Sequence, residues 1–237
     1  MREAILDAAR HLFIAGGYAN VPVRRVAAEL RCSPAALYRY FKTKNDIFNA
    51  LAEEGFRLLV SRETLPAPPV DAAPLERLRH FFWGVYEFAK LYPEYFYLIF
   101  LDRSAPRLSV ESDGLRVVGQ NYVHVAKLLE DCVASGDIDR GLDPFDVYNV
   151  IVTSVHGIAS LYVCDRVPPG ADTDAIARGV LDLAIGGLKG GALSGVTTRQ
   201  PPPRRQVKRG ALSRVVSITR RQTGGRRGTT ASRGSRR

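Results

Sequence analysis

The sequence predicts an all-α chain, and three observations carry that prediction. Apolar residues recur at intervals of three and four from residue 5 to residue 188, the spacing of one face of a helix. Period-two runs that would mark strands are absent. The recurring stripes are punctuated by helix-stop and helix-start signals: Gly16-Gly17, Ser33-Pro34, Tyr92-Pro93, Asp143-Pro144 and Asp172-Thr173.

Residues 1–16 form the first predicted helix, with Ile5, Ala8, Ala9, Leu12 and Phe13 on one face and Arg2, Asp7 and Arg10 on others. Val23, Val26, Ala27 and Leu30 give a short second helix that leaves Arg24 and Arg25 outside. Ser33 can accept an orphan backbone N–H as N-cap, and Pro34 suits the first helical position, where no N–H is needed. The third helix therefore starts at Pro34 and is expected to run to about Phe41. Leu37 and Phe41 can turn to the core, Ala35 and Ala36 are small enough to let the helix sink towards base edges, and Tyr38, Arg39 and Tyr40 face outward. Thr43, with Asp46 three residues on, is a capping box for a fourth helix, which puts Lys44 beside a helix N-terminus where a phosphate is welcome. That helix carries Ile47, Phe48, Leu51, Ala52 and Leu59 and is expected to run to about Glu63. The proline-rich stretch 65–74 then breaks the chain.

Beyond the break Leu75, Leu78, Phe82, Val85 and Ala89 mark a helix ended by Tyr92-Pro93, and a short helix follows through Phe100. Leu115, Val118, Tyr122, Val125, Leu129 and Cys132 mark the next, stopped near Gly136. Asp143-Pro144 opens another, with Val147, Ile151, Val155, Ile158 and Tyr162, and Asp172 or Thr173 opens the last, through Ile176, Val180, Leu183 and Leu188. Small and apolar residues lie on more than one face of the helices near 144–164 and 173–190, more than one neighbour would cover, so a second copy of the chain is the expected partner there. Ten of the twenty residues from Phe81 to Phe100 are aromatic, which suits either a thick core or a ligand cavity.

Charge is distributed unevenly along the chain. Residues 1–60 hold nine Lys/Arg against six Asp/Glu, residues 61–198 twelve against eighteen, and residues 199–237 thirteen against none. A basic head on an acidic body suits a protein that lays only its head on a polyanion. The last segment, 197–237, is arginine-rich with little apolar periodicity and is expected to be disordered, either an accessory nucleic-acid tail or an extension without function. No apolar run approaches the roughly 18 residues of a membrane span, and the first helix begins without a signal-peptide pattern, so a soluble cytoplasmic, nucleoid-associated protein is expected. Cys32, Cys132 and Cys164 are far apart, odd in number and in no metal-ligand spacing, which reads as buried free thiols.

Over the first fifty residues the sequence resembles the TetR family of bacterial repressors. The resemblance rests on the first helix, ILDAARHLFIAGGY, and on a helix-turn-helix closed by Tyr38, Tyr40, Phe41 and Lys44. It implies that Tyr38, Tyr40 and Lys44 hold phosphates of a double-stranded operator while Ala35, Ala36 and Arg39 approach bases, with Arg24, Arg25, Ser33, Pro34 and Thr43 completing the contact surface. Two positions depart from the family pattern: Pro22 replaces a capping threonine or serine, and Arg31 replaces a turn glycine, where a left-handed residue costs on the order of 1 kcal/mol. A weaker resemblance, to the carboxy-terminal domain of one TetR subgroup, rests on His156-Gly157 and the aromatic segment around Trp83. Its alternative is a helix-packing glycine beside a satisfied core histidine.

The domains implied are a helix-turn-helix head (1–48), a connecting helix (49–64), a ligand-binding and dimerisation body (75–192) and the tail (197–237). The expected function is a homodimeric repressor released from a palindromic operator by a small, largely apolar effector, bound by residues drawn from Phe82, Trp83, Tyr86, Phe96, Tyr122 and His156. The alternative is a constitutive DNA-binding or architectural protein without a ligand. No enzyme, metal or cofactor is expected: His11, His80, His124 and His156 fall on separate helices, no Ser or Cys has a nucleophile-elbow setting, and the glycines from Gly186 to Gly191 read as the end of the last helix.

Overall fold

Where the sequence places proline, glycine and capping residues, the helices begin and end. The structure, a computed structural model, describes residues 1–61, 63–107, 113–138, 141–193 and 195. Among these the chain is helical and without strands. The basic tail expected from residue 197 lies outside the described residues. Of the three thiols expected to be buried, Cys132 is, Cys32 is half-buried, and Cys164 is exposed because it lies just past the last turn of its helix.

The head is built from α1 (Arg2–Gly16), α2 (Val23–Glu29) and α3 (Pro34–Tyr38), closed by the first turns of α4 (Lys44–Leu59). Ile5, Ala9, Phe13, Val26, Leu37, Ile47 and Phe48 meet in its core, each almost wholly out of solvent. The body contains α5 (Pro74–Leu91), α6 (Pro93–Phe96), α7 (Asp113–Ala134), α8 (Pro144–Val163) and α9 (Thr173–Lys189). α5 is central, packed on α7, α8 and α9, and α8 lies along α9. α6 passes directly into a π-helical turn, Tyr97–Leu101, in which the Asp102 N–H bonds to the Tyr97 carbonyl five residues back, at 2.9 Å.

The local chemistry explains the boundaries. The Asp143 and Asp172 carboxylates cap α8 and α9 by accepting the N–H groups of Phe145 and Ala175. Four helices end in a Schellman arrangement, in which two successive N–H groups reach back over the last turn. Arg31 and Cys32 bond Ala28 and Ala27 after α2, Gly136 and Asp137 bond Val133 and Cys132 after α7, Asp165 and Arg166 bond Tyr162 and Leu161 after α8, and Gly191 and Ala192 bond Leu188 and Gly187 after α9. The left-handed position is glycine after α7 and α9, but Arg31 (φ 51°) after α2 and Asp165 (φ 52°) after α8. The strained arginine turn expected from the sequence is therefore present.

Two expected boundaries move. α3 ends at Tyr38 rather than near Phe41, because the chain must straighten at Thr43 (φ −139°, ψ 164°) to cap α4, although the Tyr40 and Phe41 N–H groups still bond the Leu37 carbonyl. α4 ends at Leu59 rather than Glu63: Ser61 starts a turn whose hydroxyl accepts the Thr64 N–H at 3.3 Å, a local bond that competes with continuing the helix. Gly55 permits the close crossing of α4 over the end of α6, where an added Cβ would fall 2.5 Å from Ile99 Cδ1 and 3.1 Å from Tyr95.

Candidate nucleic-acid interface and body cavity

The helix-turn-helix is fixed by its caps. Ser33 Oγ accepts the Ala36 N–H at 3.3 Å, Thr43 Oγ1 accepts the Asp46 N–H at 3.1 Å, and Asp46 returns the bond to the Thr43 N–H at 2.8 Å. Two ends so close together, Ser33 and Thr43, leave α3 little freedom to rotate. Leu37 and Phe41 anchor its inner face. Pro34, Ala35, Arg39 and Tyr40 are exposed, Ala36 is half-buried, and Tyr38 keeps 51% of its surface, a large aromatic area with no protein partner to cover it. Arg24 and Arg25 stand exposed on α2. The sequence-predicted head residues are thus gathered on α2, α3 and the start of α4.

Lys44 is half-buried rather than projecting freely. Its ammonium donates to the Tyr18 carbonyl, lies 3.5 Å from the Ala19 carbonyl, and sits 4.0 Å from the centre of the Tyr18 ring. Burial holds its pKa below the usual lysine value, against the attraction of Asp102. Tyr18 is held from the other side: its N–H donates to Asp102 Oδ2 at 2.8 Å, and its hydroxyl donates to Asn45. Neither Tyr18 nor Asp102 was expected at the site from the sequence. Asp102-Arg103-Ser104 signals a turn, but nothing local to it names a partner more than eighty residues away.

In the body, a partly enclosed cavity of about 60 Å³ lies among α4, α5, the π-helical turn, α7 and α8. Phe56, Leu65, Phe81 and Phe100 supply apolar walls, and Asn121, Tyr148 and His156 supply polar groups. His156 Nδ1 lies 2.8 Å from the Val152 carbonyl, which suits an Nδ1–H tautomer with Nε2 left as an acceptor. Burial lowers the His156 pKa and favours that neutral form, outweighing the bond to Val152, while burial pushes the Tyr148 hydroxyl up to about 12. A second, wider cleft of about 560 Å³ opens between the 66–72 segment, α5 and α9, lined by Trp83, Arg79 and Arg178 among others. Arg79 is already paired with Asp182 and Glu76, and Arg178 lies over the Trp83 ring.

The six candidate ligand residues do not form one wall. His156 lines the cavity and Trp83 the outer cleft. Phe82, Tyr86 and Phe96 are fully buried and spend their surface on neighbours: Phe96 on His156 at 5.3 Å between ring centres, Phe82 on Tyr148, and Tyr86 on Trp83. Tyr122 stacks on Phe145 at 5.2 Å and donates to Asn149. The aromatic density of α5 and α6 is therefore mostly core. Phe56, Phe100, Asn121 and Tyr148, which face the cavity, come from four separate elements, so no sequence window groups them.

Residues 5–51 match the model for bacterial regulatory proteins of the tetR family, the stretch that spans α1, both helices of the helix-turn-helix and the start of α4. The match covers the head and stops at Leu51. No curated protein matches the chain in sequence. Solved structures share the fold over both head and body. A tetR-family regulatory protein from Rhodococcus RHA1 is 23% identical, with a TM-score of 0.61 over 79% of this chain and 96% of its own. FadR from Bacillus subtilis, solved with stearoyl-CoA, is 21% identical, with a TM-score of 0.64 over 79% and 99%. AibR, solved with isovaleryl coenzyme A and operator DNA, is 20% identical, with a TM-score of 0.59 over 77% and 96%. Among the described residues no helix is long and apolar enough to cross a membrane, and no cluster of side chains could hold a metal ion.

Proposed function

We propose that the protein is a homodimeric regulator that grips an inverted-repeat operator with α3 of each protomer and releases it when a small, largely apolar molecule enters the body cavity. The observation that carries this reading is the path of α4. Its first residue, Lys44, belongs to the DNA-facing head, and its other end supplies Phe56, Leu59 and neighbouring Val60 to the cavity wall. At 1.5 Å per residue the helix spans about 24 Å. A rigid rod of that length turns a small displacement at the cavity into a larger one at the head.

In the head Arg39, with Ala35 and Ala36, reads bases, while Tyr38, Tyr40 and Lys44 hold phosphates, supported by Arg24, Arg25, Ser33, Pro34 and Thr43. In the body this partly enclosed cavity is the effector site in preference to the wider outer cleft, because it touches α4, whereas Arg79 of the cleft is already held by Asp182 and Glu76. Acyl thioesters of coenzyme A are the first class to test, since FadR and AibR are solved with such molecules. An apolar chain suits the phenylalanine walls, and a carbonyl suits the Tyr148 hydroxyl, whose oxygen already accepts from Asn121. A cavity of about 60 Å³ holds only part of such a ligand, so binding must push the walls apart.

A second copy of the chain covers α8 and α9 in this reading. Leu161, Tyr162 and Ile176 are exposed, and Leu183 keeps 79% of its surface. Gly157, Gly179 and Gly186 have open space where a Cβ would stand, so no packing within the protomer calls for glycine there. Small residues between exposed leucines suit close approach by a partner helix. Half-sites on one face of DNA lie about 34–36 Å apart or a multiple of that, which the paired bodies must match.

Selection of bound sites from random DNA, followed by titration of acyl-CoA thioesters of graded chain length against the selected duplex, tests the whole reading. Inverted repeats bound by dimers, with affinity lowered by one chain-length class, are expected. A single half-site bound by monomers would remove the dimer, and no response to any small molecule would favour a constitutive DNA-binding protein.

A further inference from the structure

A chain of hydrogen bonds joins the end of the π-helical turn to the Lys44 ammonium. We infer that Asp102 is a positioning residue for DNA binding, fixing the Tyr18–Ala19 turn whose carbonyls hold the Lys44 ammonium at the amino-terminus of α4. This rests on the proposed reading of Lys44 as a phosphate contact.

The link is continuous in hydrogen bonds. Asp102 Oδ2 accepts the Tyr18 N–H at 2.8 Å, and Oδ1 accepts from the Ser104 N–H at 2.8 Å and the Ser104 hydroxyl at 2.6 Å. The same hydroxyl oxygen accepts the Ala19 N–H at 3.0 Å. Two residues of the body thereby satisfy both N–H groups of a head turn in which Gly17 is left-handed (φ 76°). On the far side of these residues, the Tyr18 and Ala19 carbonyls and the Tyr18 ring hold the ammonium. An ammonium has three N–H donors, so with two turned to carbonyls one remains for a phosphate oxygen. Pre-setting a long, rotamer-rich side chain in this way removes part of the ordering cost that binding would otherwise carry.

The other end of the link is the cavity. Asp102 directly follows the π-helical turn, and Phe100 within that turn lines the cavity, with its ring 4.8 Å from His156 and 6.0 Å from Phe56 between centres. A ligand that displaces Phe100 acts two residues from the carboxylate that grips the head. Although burial works to raise its pKa, the Ser104 hydroxyl and the N–H groups of Tyr18, Ser104 and Ala105 together hold Asp102 below the ordinary carboxylate range, so it is ionised when the grip is made.

The test uses the full chain and a duplex recovered by selection with the parent protein, with affinity measured across a salt series. Lys44→Ala is expected to flatten the salt slope by about one charge. Asp102→Ala should flatten it by the same amount and weaken binding about tenfold, as loss of one charge-assisted contact does. The double variant should fall no further than either single one. Ser104→Ala, which leaves the carboxylate in place, should move the same way by less and guards against misfolding of the first variant. A flattened slope for Lys44→Ala with parental slopes for Asp102→Ala and Ser104→Ala would overturn the positioning role alone. A parental slope for Lys44→Ala itself would overturn the phosphate reading, and this inference with it.

Discussion

The head and the α8–α9 face both expose large apolar side chains, but of different kinds. On the head they are Tyr38 and Tyr40, aromatic rings with a hydroxyl at the tip, interleaved with Arg39. On α8 and α9 they are mainly Leu161, Ile176 and Leu183, aliphatic and set among glycines that pack against nothing in the protomer. Rings with polar tips beside a guanidinium can leave water for a polyanion and keep hydrogen bonds. Aliphatic chains gain only by meeting other apolar surface. The contrast teaches that exposure alone does not name a partner: the polar atoms within the patch do.

The comparison sharpens most at the residues that are not exposed at all. Phe96 lies in the same aromatic-rich region as the cavity walls but is sealed in the core, so Phe96→Ala should cost about 3–5 kcal/mol of stability in denaturant unfolding. Tyr38→Ala, with half of its surface already in water, should cost no more than about 1 kcal/mol. Comparable losses from the two would erase the distinction.

Next in size is the aliphatic face. With α8 and α9 as the proposed dimer face, Leu183→Lys should give monomers in sedimentation and lower operator affinity about a hundredfold, corresponding to about 2.7 kcal/mol, while leaving the helical content of the protomer intact. If Leu183→Lys stayed dimeric and bound DNA as the parent does, the α8–α9 face would not be the interface.

On the head, Arg39→Ala should change which bases are preferred, by about 1–3 kcal/mol at the affected position, when the selection is repeated with the variant. An unchanged consensus would move base reading away from α3's exposed face.

A smaller effect separates body from head by pH. The folded His156 pKa lies below its unfolded value near 6.5, because burial disfavours the imidazolium, and His124 is shifted in the same direction by burial. Below about 6.5 the unfolded chain binds more protons than the fold, so stability falls as pH drops from that value until the folded pKa is passed, and none of this loss is felt at pH 8. His156→Gln should make unfolding between pH 7 and 5 less pH-dependent. An undiminished dependence would place the cause elsewhere, with His124 the next to replace.

Smallest is the turn of the helix-turn-helix. Arg31→Gly relieves a left-handed residue and should raise the melting temperature by the equivalent of up to about 1 kcal/mol, offset in part by the freedom glycine gains in the unfolded chain. A lower melting temperature would mean that the Arg31 side chain itself contributes to the head.

By itself the sequence determined the helical class, nearly every helix start and the outward row Tyr38-Arg39-Tyr40. Caps, proline positions and three-to-four spacing are local, and their hydrogen bonds form within a turn or two of the residue concerned, as at Ser33, Thr43, Asp143 and Asp172. It also exposed the strain at Arg31, since a Schellman turn needs a left-handed residue wherever the chain has to reverse direction after α2. Only the tertiary structure decided which aromatics of residues 81–100 face a cavity. Phe81 and Phe82 are adjacent in sequence, yet one lines the cavity and the other is core, because α5 is covered on several sides by α7, α8 and α9. The same holds for the grip of Asp102 and Ser104 on Tyr18 and Ala19. Hydrogen-bonding capacity is written in each residue, but the partner is chosen by how α1 and the end of α6 come together, and that depends on packing across the whole chain.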